Sequence, residues 1–194
     1  IPLRLVGSEM CIRDRMMAVD RQALVDGAWS GYGTPIGSHY TPNDPGFKDL
    51  TGHLAYNPDA AKNLLAEAGY GNGLSISIKV PQMPYAVRSA EILQAFLAEI
   101  GVSLEIVPTE FPAAWVSDVL QNHDFDMTIV AHAEPMDIDI FARPDYYFGY
   151  ANPAFNDVIS RAEAAGDSAV RDSLYGEAQE MLADDVPALF LFVM

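Results

Sequence analysis

The spacing of apolar residues predicts an α/β protein, a sheet layered with helices. Three observations carry that expectation. Leu74, Ile76, Ile78 and Val80 alternate with Ser75, Ser77 and Lys79, the period of two of a strand with one buried face. Leu93, Phe96, Leu97 and Ile100 recur at the i, i+3, i+4, i+7 spacing of a helix. Strand-like and helix-like segments then follow each other as β-α-β-α-β, and two crossovers of that length imply parallel strands joined by right-handed connections.

At the start of the chain, residues 5–15, LVGSEMCIRDR, stand apart. They resemble a reading frame through a transposon-end adaptor of the kind used to prepare sequencing libraries, and such segments are set aside in fold reasoning. Residues 1–15 are therefore expected to be non-native and the native reading to begin near Met16. The alternative is an ordinary strand, IPLRLV, followed by a loop. Cys11, the one cysteine, falls inside this stretch. A native part without cysteine fits an exported protein, and it fits many cytosolic ones as well.

MMAVDRQALVDG, residues 16–27, predicts a short helix. Residues 30–54 hold five glycines and three prolines (Pro35, Pro42, Pro45) and predict a long ordered loop. In YNPDAAKNLLAEAGY, Asn57 is placed to cap a helix, Pro58 takes its first position and Gly69 ends it in the left-handed conformation. The alternating strand comes next, then the helix through Ile100, which Gly101 closes, then a second strand over 102–107. Residues 111–121 predict a helix with Trp115, Val119 and Leu120 turned inward, and FDMTIVAHA, 125–133, a third strand. Asn152 and Pro153 repeat the cap-then-proline signal before a helix to Ala164, and Asp167 is placed to cap a longer one to Asp184. PALFLFVM, 187–194, predicts a buried strand. It stops without a turn, so truncation is expected at this end as at the other.

Eleven lysines and arginines stand against 27 aspartates and glutamates, a net charge of −16, which argues against nucleic acid as a partner because phosphate binding needs clustered cations. Half the residues are hydrophobic, yet no apolar run approaches the ~20 residues of a membrane-spanning helix. The length suits one domain or one lobe of a larger protein, and the lobe is favoured.

In parallel sheets ligands bind beyond the carboxyl ends of the strands, which directs attention to the turn after the third strand. Glu134 there offers a carboxylate that becomes a strong partner for a cation once desolvated, or else a solvated turn residue before Pro135. Asp137 and Asp139 follow, and one of them is placed to cap the next helix. RPDYYFGY, 143–150, concentrates Arg143, Tyr146 and Tyr147 with further aromatics, as a pocket lining or a core plug. Arg143 is suited to a ligand carboxylate or to Asp145. His132 and Glu134 share a strand face but lack the third ligand of a metal site, so no metal and no cofactor are expected. Asp26, Asp44 and Asp49 read as solvated loop charges.

Taken in order, AVDRQALVDGAWSGYGTPIG, YNPDAAKNLLAEAGY, the β-α-β unit and DDVPALFLF resemble the C-terminal half of the dipeptide and oligopeptide solute-binding proteins of ABC importers, extracellular family 5. The resemblance covers nearly all of residues 16–194. It implies a two-lobed periplasmic-binding-protein fold of type II, the large peptide-binding class, of which this chain would hold most of one lobe. It also implies a protein in the periplasm or tethered outside the membrane, monomeric, closing like a hinge on a peptide or similar small solute and delivering it to ABC permease subunits. In peptide-binding members an aspartate just after the third strand, in a stretch ending DPDNFF or similar, pairs with the ligand's amino terminus. Here HAEPMDIDIF places Glu134 at that position, and the tryptophan that commonly precedes it is replaced around Ala131 and His132. The ligand-binding candidates are thus Glu134, His132, Asp137, Asp139, Arg143, Tyr146 and Tyr147, with sugars, nickel chelates and opines open as ligands. A ligand-sensing extracellular domain is the competing expectation. An α/β hydrolase-type enzyme ranks below it, since the chain carries no nucleophile elbow and no phosphate-cradling glycine loop after a strand.

Overall fold

Asp20 divides the first helical stretch in two. In the computed structural model, which describes residues 10–134 and 136–194, α1 (Met10–Met17) and α2 (Arg21–Trp29) replace the single helix expected over 16–27. The Asp20 carboxylate accepts from the amides of Gln22 and Ala23, each at 3.0 Å, so it serves better as a new N-cap than inside a helix. Residues 1–9, which hold the alternative N-terminal strand and most of the adaptor-like stretch, lie outside the described residues, as does Pro135.

The loop after α2 starts with a two-residue strand, β1 (Thr34–Pro35), and then crosses the surface as its glycines and prolines predict. Gly37 lies so close to the backbone of Leu50 that a Cβ there would sit 2.0 Å from the Leu50 carbonyl carbon. A buried glutamine holds the rest. Gln179 donates to the carbonyls of Gly46 and Tyr175 and accepts from the Lys48 amide at 3.1 Å, while its own carbonyl accepts from the Ser38 hydroxyl.

α3 (Pro58–Leu65) begins as its sequence predicts, with Asn57 accepting from the Ala60 amide, and runs through a π-helical turn to Tyr70 in which Gly69 takes φ 91°. β2 (Leu74–Pro81) buries Ile76, Ile78 and Val80. α4 (Pro84–Glu99) starts at Pro84, earlier than its apolar spacing marks, and lays Leu93 and Leu97 on the sheet. Each such fully buried aliphatic side chain contributes about 1.5–3 kcal/mol. β3 (Val102–Thr109) follows Gly101 and pairs in parallel with β2 from Leu74↔Val102 to Pro81↔Thr109. α5 (Ala113–Trp115) continues as a π-helical turn to Gln121, burying Trp115 and Val119, with Leu120 partly covered.

The third strand is shorter than expected. Of residues 125–133 only β4 (Met127–Thr128) pairs with β2, in parallel, giving the order β3-β2-β4. The Thr128 hydroxyl donates to the Lys79 carbonyl, and β2 ends at Pro81, which has no N–H to extend a ladder. α6 (Pro153–Ala164) and α7 (Ser168–Asp185) start on the predicted caps: Asn152 accepts from the amides of Ala154 and Phe155, and Asp167 from those of Ala169 and Val170. The last strand is also short. β5 (Phe192–Val193) pairs antiparallel with β1, whose Pro35 limits the ladder.

Two apolar clusters result. One gathers α2, α3, α4 and the parallel sheet; the other gathers Trp115, Phe141, Phe148 and Phe155 with α6 and α7. The turn after β4 lies where the two meet.

Candidate functional site

A cavity of about 510 Å³ opens beyond the carboxyl ends of β2 and β4, lined from one cluster by Ile78, Leu93 and Met127 and from the other by Ile36, Phe141 and Phe148. Four of the seven predicted residues line it: His132, Glu134, Asp137 and Tyr147. The other three do not. Arg143 donates from Nε and a terminal nitrogen to one oxygen of Asp139, at 3.0 and 2.9 Å, and its guanidinium lies 5.8 Å from the Tyr146 ring centroid. Arg143 therefore pairs with Asp139 one turn away rather than with Asp145. Tyr146 packs on Tyr147, ring centroids 5.0 Å apart.

Asp137 is the centre of a polar chain. Its Oδ1 lies 2.6 Å from His39 Nε2, and its Oδ2 lies 3.5 Å from His132 Nδ1. Burial pushes the Asp137 carboxyl up, but the hydrogen bonds and charge of His132 and His39 outweigh it and hold the group well below the usual carboxylate range. An ionised Asp137 favours a proton on the facing nitrogen of each imidazole. His132 Nε2 lies 2.7 Å from the Tyr147 hydroxyl, and the two rings lie within 6° of parallel. Burial raises the Tyr147 pKa, so that hydroxyl keeps its proton. Trp115 packs against Tyr147 edge-on and donates to the Thr128 hydroxyl at 3.0 Å. A polar chain thus runs His39–Asp137–His132–Tyr147.

Three carboxylates line the cavity, with no lysine or arginine among its lining residues. Asp137 is held by two imidazoles. Asp44 accepts from the Thr41 amide at 2.7 Å, so it is a turn residue of its loop more than a solvated charge. Glu134 is exposed and makes no hydrogen bond or ion pair among the described residues; its charge acts weakly on Arg143 and Tyr146. Among the described residues no three His, Cys, Asp or Glu side chains group as metal ligands.

Sequence reasoning did not single out two contributors. His39 comes from the glycine-rich loop, 98 residues before Asp137, and nothing local marks it. Tyr85 stands at the start of α4 and lines the cavity, its hydroxyl accepting from the Ala131 amide at 2.9 Å. A signal for it existed: it follows the carboxyl end of β2, and the rule that directs attention to the turn after β4 applies equally there.

Residues 16–154 match the family model described as bacterial extracellular solute-binding proteins, family 5 middle. The chain is 28% identical to the dipeptide-binding protein of Escherichia coli K12 over 194 residues, covering 90% of this chain and 35% of that protein. It is 31% identical to the peptide transport periplasmic protein SapA of Salmonella typhimurium over 151 residues, covering 69% of this chain and 27% of the relative. The fold superposes on a dipeptide-binding protein from Pseudoalteromonas sp. SM9913 in complex with Met-Leu at a TM-score of 0.85 and 25% identity, over 97% of this chain and 40% of that one. A binding protein from A. tumefaciens R10 in complex with agropinic acid shares the fold at a TM-score of 0.81. The chain spans about a third of the length of the curated relatives it matches.

Proposed function

Because the chain belongs to the bacterial extracellular solute-binding proteins of family 5, we propose that it forms one lobe of a two-lobed protein that captures a peptide, closes on it like a hinge and delivers it to the permease subunits of an ABC importer. Its relatives bind solutes and are not enzymes, and no catalytic step is asked of the cavity. The share of each relative that the chain covers supports the one-lobe reading. The family match begins at residue 16, where the native reading is expected to begin. The protein acts outside the cytoplasm, in the periplasm or tethered to the membrane, as a monomer; among the described residues no helix is long and apolar enough to cross a membrane.

One observation carries the peptide reading. Among the described residues, Glu134 is the one acidic side chain of the cavity lining with no hydrogen bond or ion pair, and the lining holds no lysine or arginine. A ligand arriving with an ammonium group finds one partner for it, and closure of a second lobe strengthens that pair by removing water. The named ligands of several relatives, dipeptides among them, fit this reading.

The test is thermal stability of the full-length protein against di- to pentapeptides, oligosaccharides, opines and metal chelates, since a ligand at 100 times its Kd adds about 2.7 kcal/mol. A peptide raises the midpoint, and Glu134→Gln abolishes that rise. A rise with a non-peptide alone, indifferent to the substitution, overturns the peptide reading.

A further inference from the structure

Three tyrosines line the cavity, and their hydroxyls are in different states. That of Tyr147 is engaged with His132. That of Tyr40 is buried, with no hydrogen-bond partner among the described residues. That of Tyr85 accepts from the Ala131 amide in an exposed bond and donates to nothing among the described residues. Burial raises the Tyr85 pKa, so at neutral pH the hydroxyl keeps its proton. A phenol that accepts from the backbone has one proton left to give, and the anchor to Ala131 fixes where the oxygen stands.

The place of that anchor matters. Ala131 precedes Glu134 by three residues, so the Cα atoms of the anchor residue and of the free carboxylate's residue are at most about 11 Å apart. Tyr85 and Glu134 line the same cavity, so one ligand held there meets both side chains.

From this juxtaposition, and resting on the solute-binding reading above, we infer that Tyr85 is a ligand-contacting residue whose hydroxyl donates to an oxygen of the same ligand unit that places its ammonium on Glu134. The site therefore selects a unit with an ammonium and a carbonyl a few bonds apart, the pattern at the amino end of a peptide. A bare amine satisfies Glu134 and leaves the Tyr85 proton without an acceptor when the cleft closes. That loss is what discriminates against it.

A double-mutant cycle between protein and ligand tests this in the full-length protein. L-Alanyl-L-alanine and its alkene isostere, in which a carbon–carbon double bond replaces the amide and removes the carbonyl oxygen, are titrated into the unsubstituted protein and into Tyr85→Phe. Tyr85→Phe weakens binding of Ala-Ala about tenfold and leaves the affinity for the alkene unchanged. Unchanged Ala-Ala binding, or equal weakening of both ligands, overturns the inference, the second by showing that Tyr85 only positions the 131–134 turn. Glu134→Gln separates this from the underlying reading. If Ala-Ala binds and is lost in Glu134→Gln while the cycle shows no coupling, peptide capture stands and the role of Tyr85 falls. If the unsubstituted protein takes no Ala-Ala, the dipeptide reading fails and this inference with it.

Discussion

Asp14 and Asp137 are both buried carboxylates, and their surroundings push them in opposite directions. Two imidazoles hold Asp137 ionised. Asp14 is 0% exposed, and burial raises its pKa to about 7 against the lowering influences of the Arg15 charge and the Arg15 backbone amide. The folded-state value lies above the unfolded 3.8, so the cost of ionising Asp14 inside the fold is absent below about pH 4 and complete above about pH 7. A displacement of that size corresponds to about 4 kcal/mol. Asp14→Asn is therefore expected to remove a decline in stability between pH 4 and 8, with the variant the more stable at pH 8. Urea unfolding at both pH values reads this directly, and parallel pH profiles for the two proteins would sink it.

The loop between α2 and α3 has almost no regular structure, yet it supplies His39 to the site. Its shape depends on Gln179 of α7, which satisfies the Lys48 amide and the Gly46 carbonyl, and on Arg21 of α2, which donates to the carbonyls of Thr51 and Phe190. Gln179→Leu fills the space but leaves buried backbone groups unpaired, each costing about 1–3 kcal/mol. The expected loss is about 3 kcal/mol, with faster amide exchange over residues 38–50 and none in α4. A change within about 0.5 kcal/mol would show that glycine close packing, as at Gly37, holds the loop without the glutamine.

At the scale of the molecule, the proposed lobe supplies one side of a two-sided binding cleft. Binding sites bury roughly 70–90% of a ligand, which a single lobe does not achieve. The 194-residue chain alone is expected to bind Ala-Ala in the millimolar range or weaker by titration calorimetry, and low-micromolar binding by residues 16–194 would refute the one-lobe proposal. The sparse parallel sheet fits the same picture: β4 contributes two residues, and the chain accounts for about 40% of the solved structures it superposes on.

What lies within a few residues along the chain was legible in the sequence alone: the β2 alternation, the caps at Asn57, Asn152 and Asp167, the left-handed Gly69 and Gly101, and the α/β order. These signals act through backbone period and local hydrogen bonds, so no distant partner alters them. The turn after β4 was legible too, because parallel strands aim their carboxyl ends at one rim. Tertiary structure alone decided which carboxylate stays free. Asp137 is engaged because a loop 98 residues away brings His39 against it, Glu134 is left open, and Tyr85 reaches Ala131 across 46 residues. It also shortened β4, where Thr128 turns its hydroxyl to Lys79 and Pro81 ends the ladder. Pairings of this kind are set by how two apolar clusters pack, and no spacing along the chain encodes that distance.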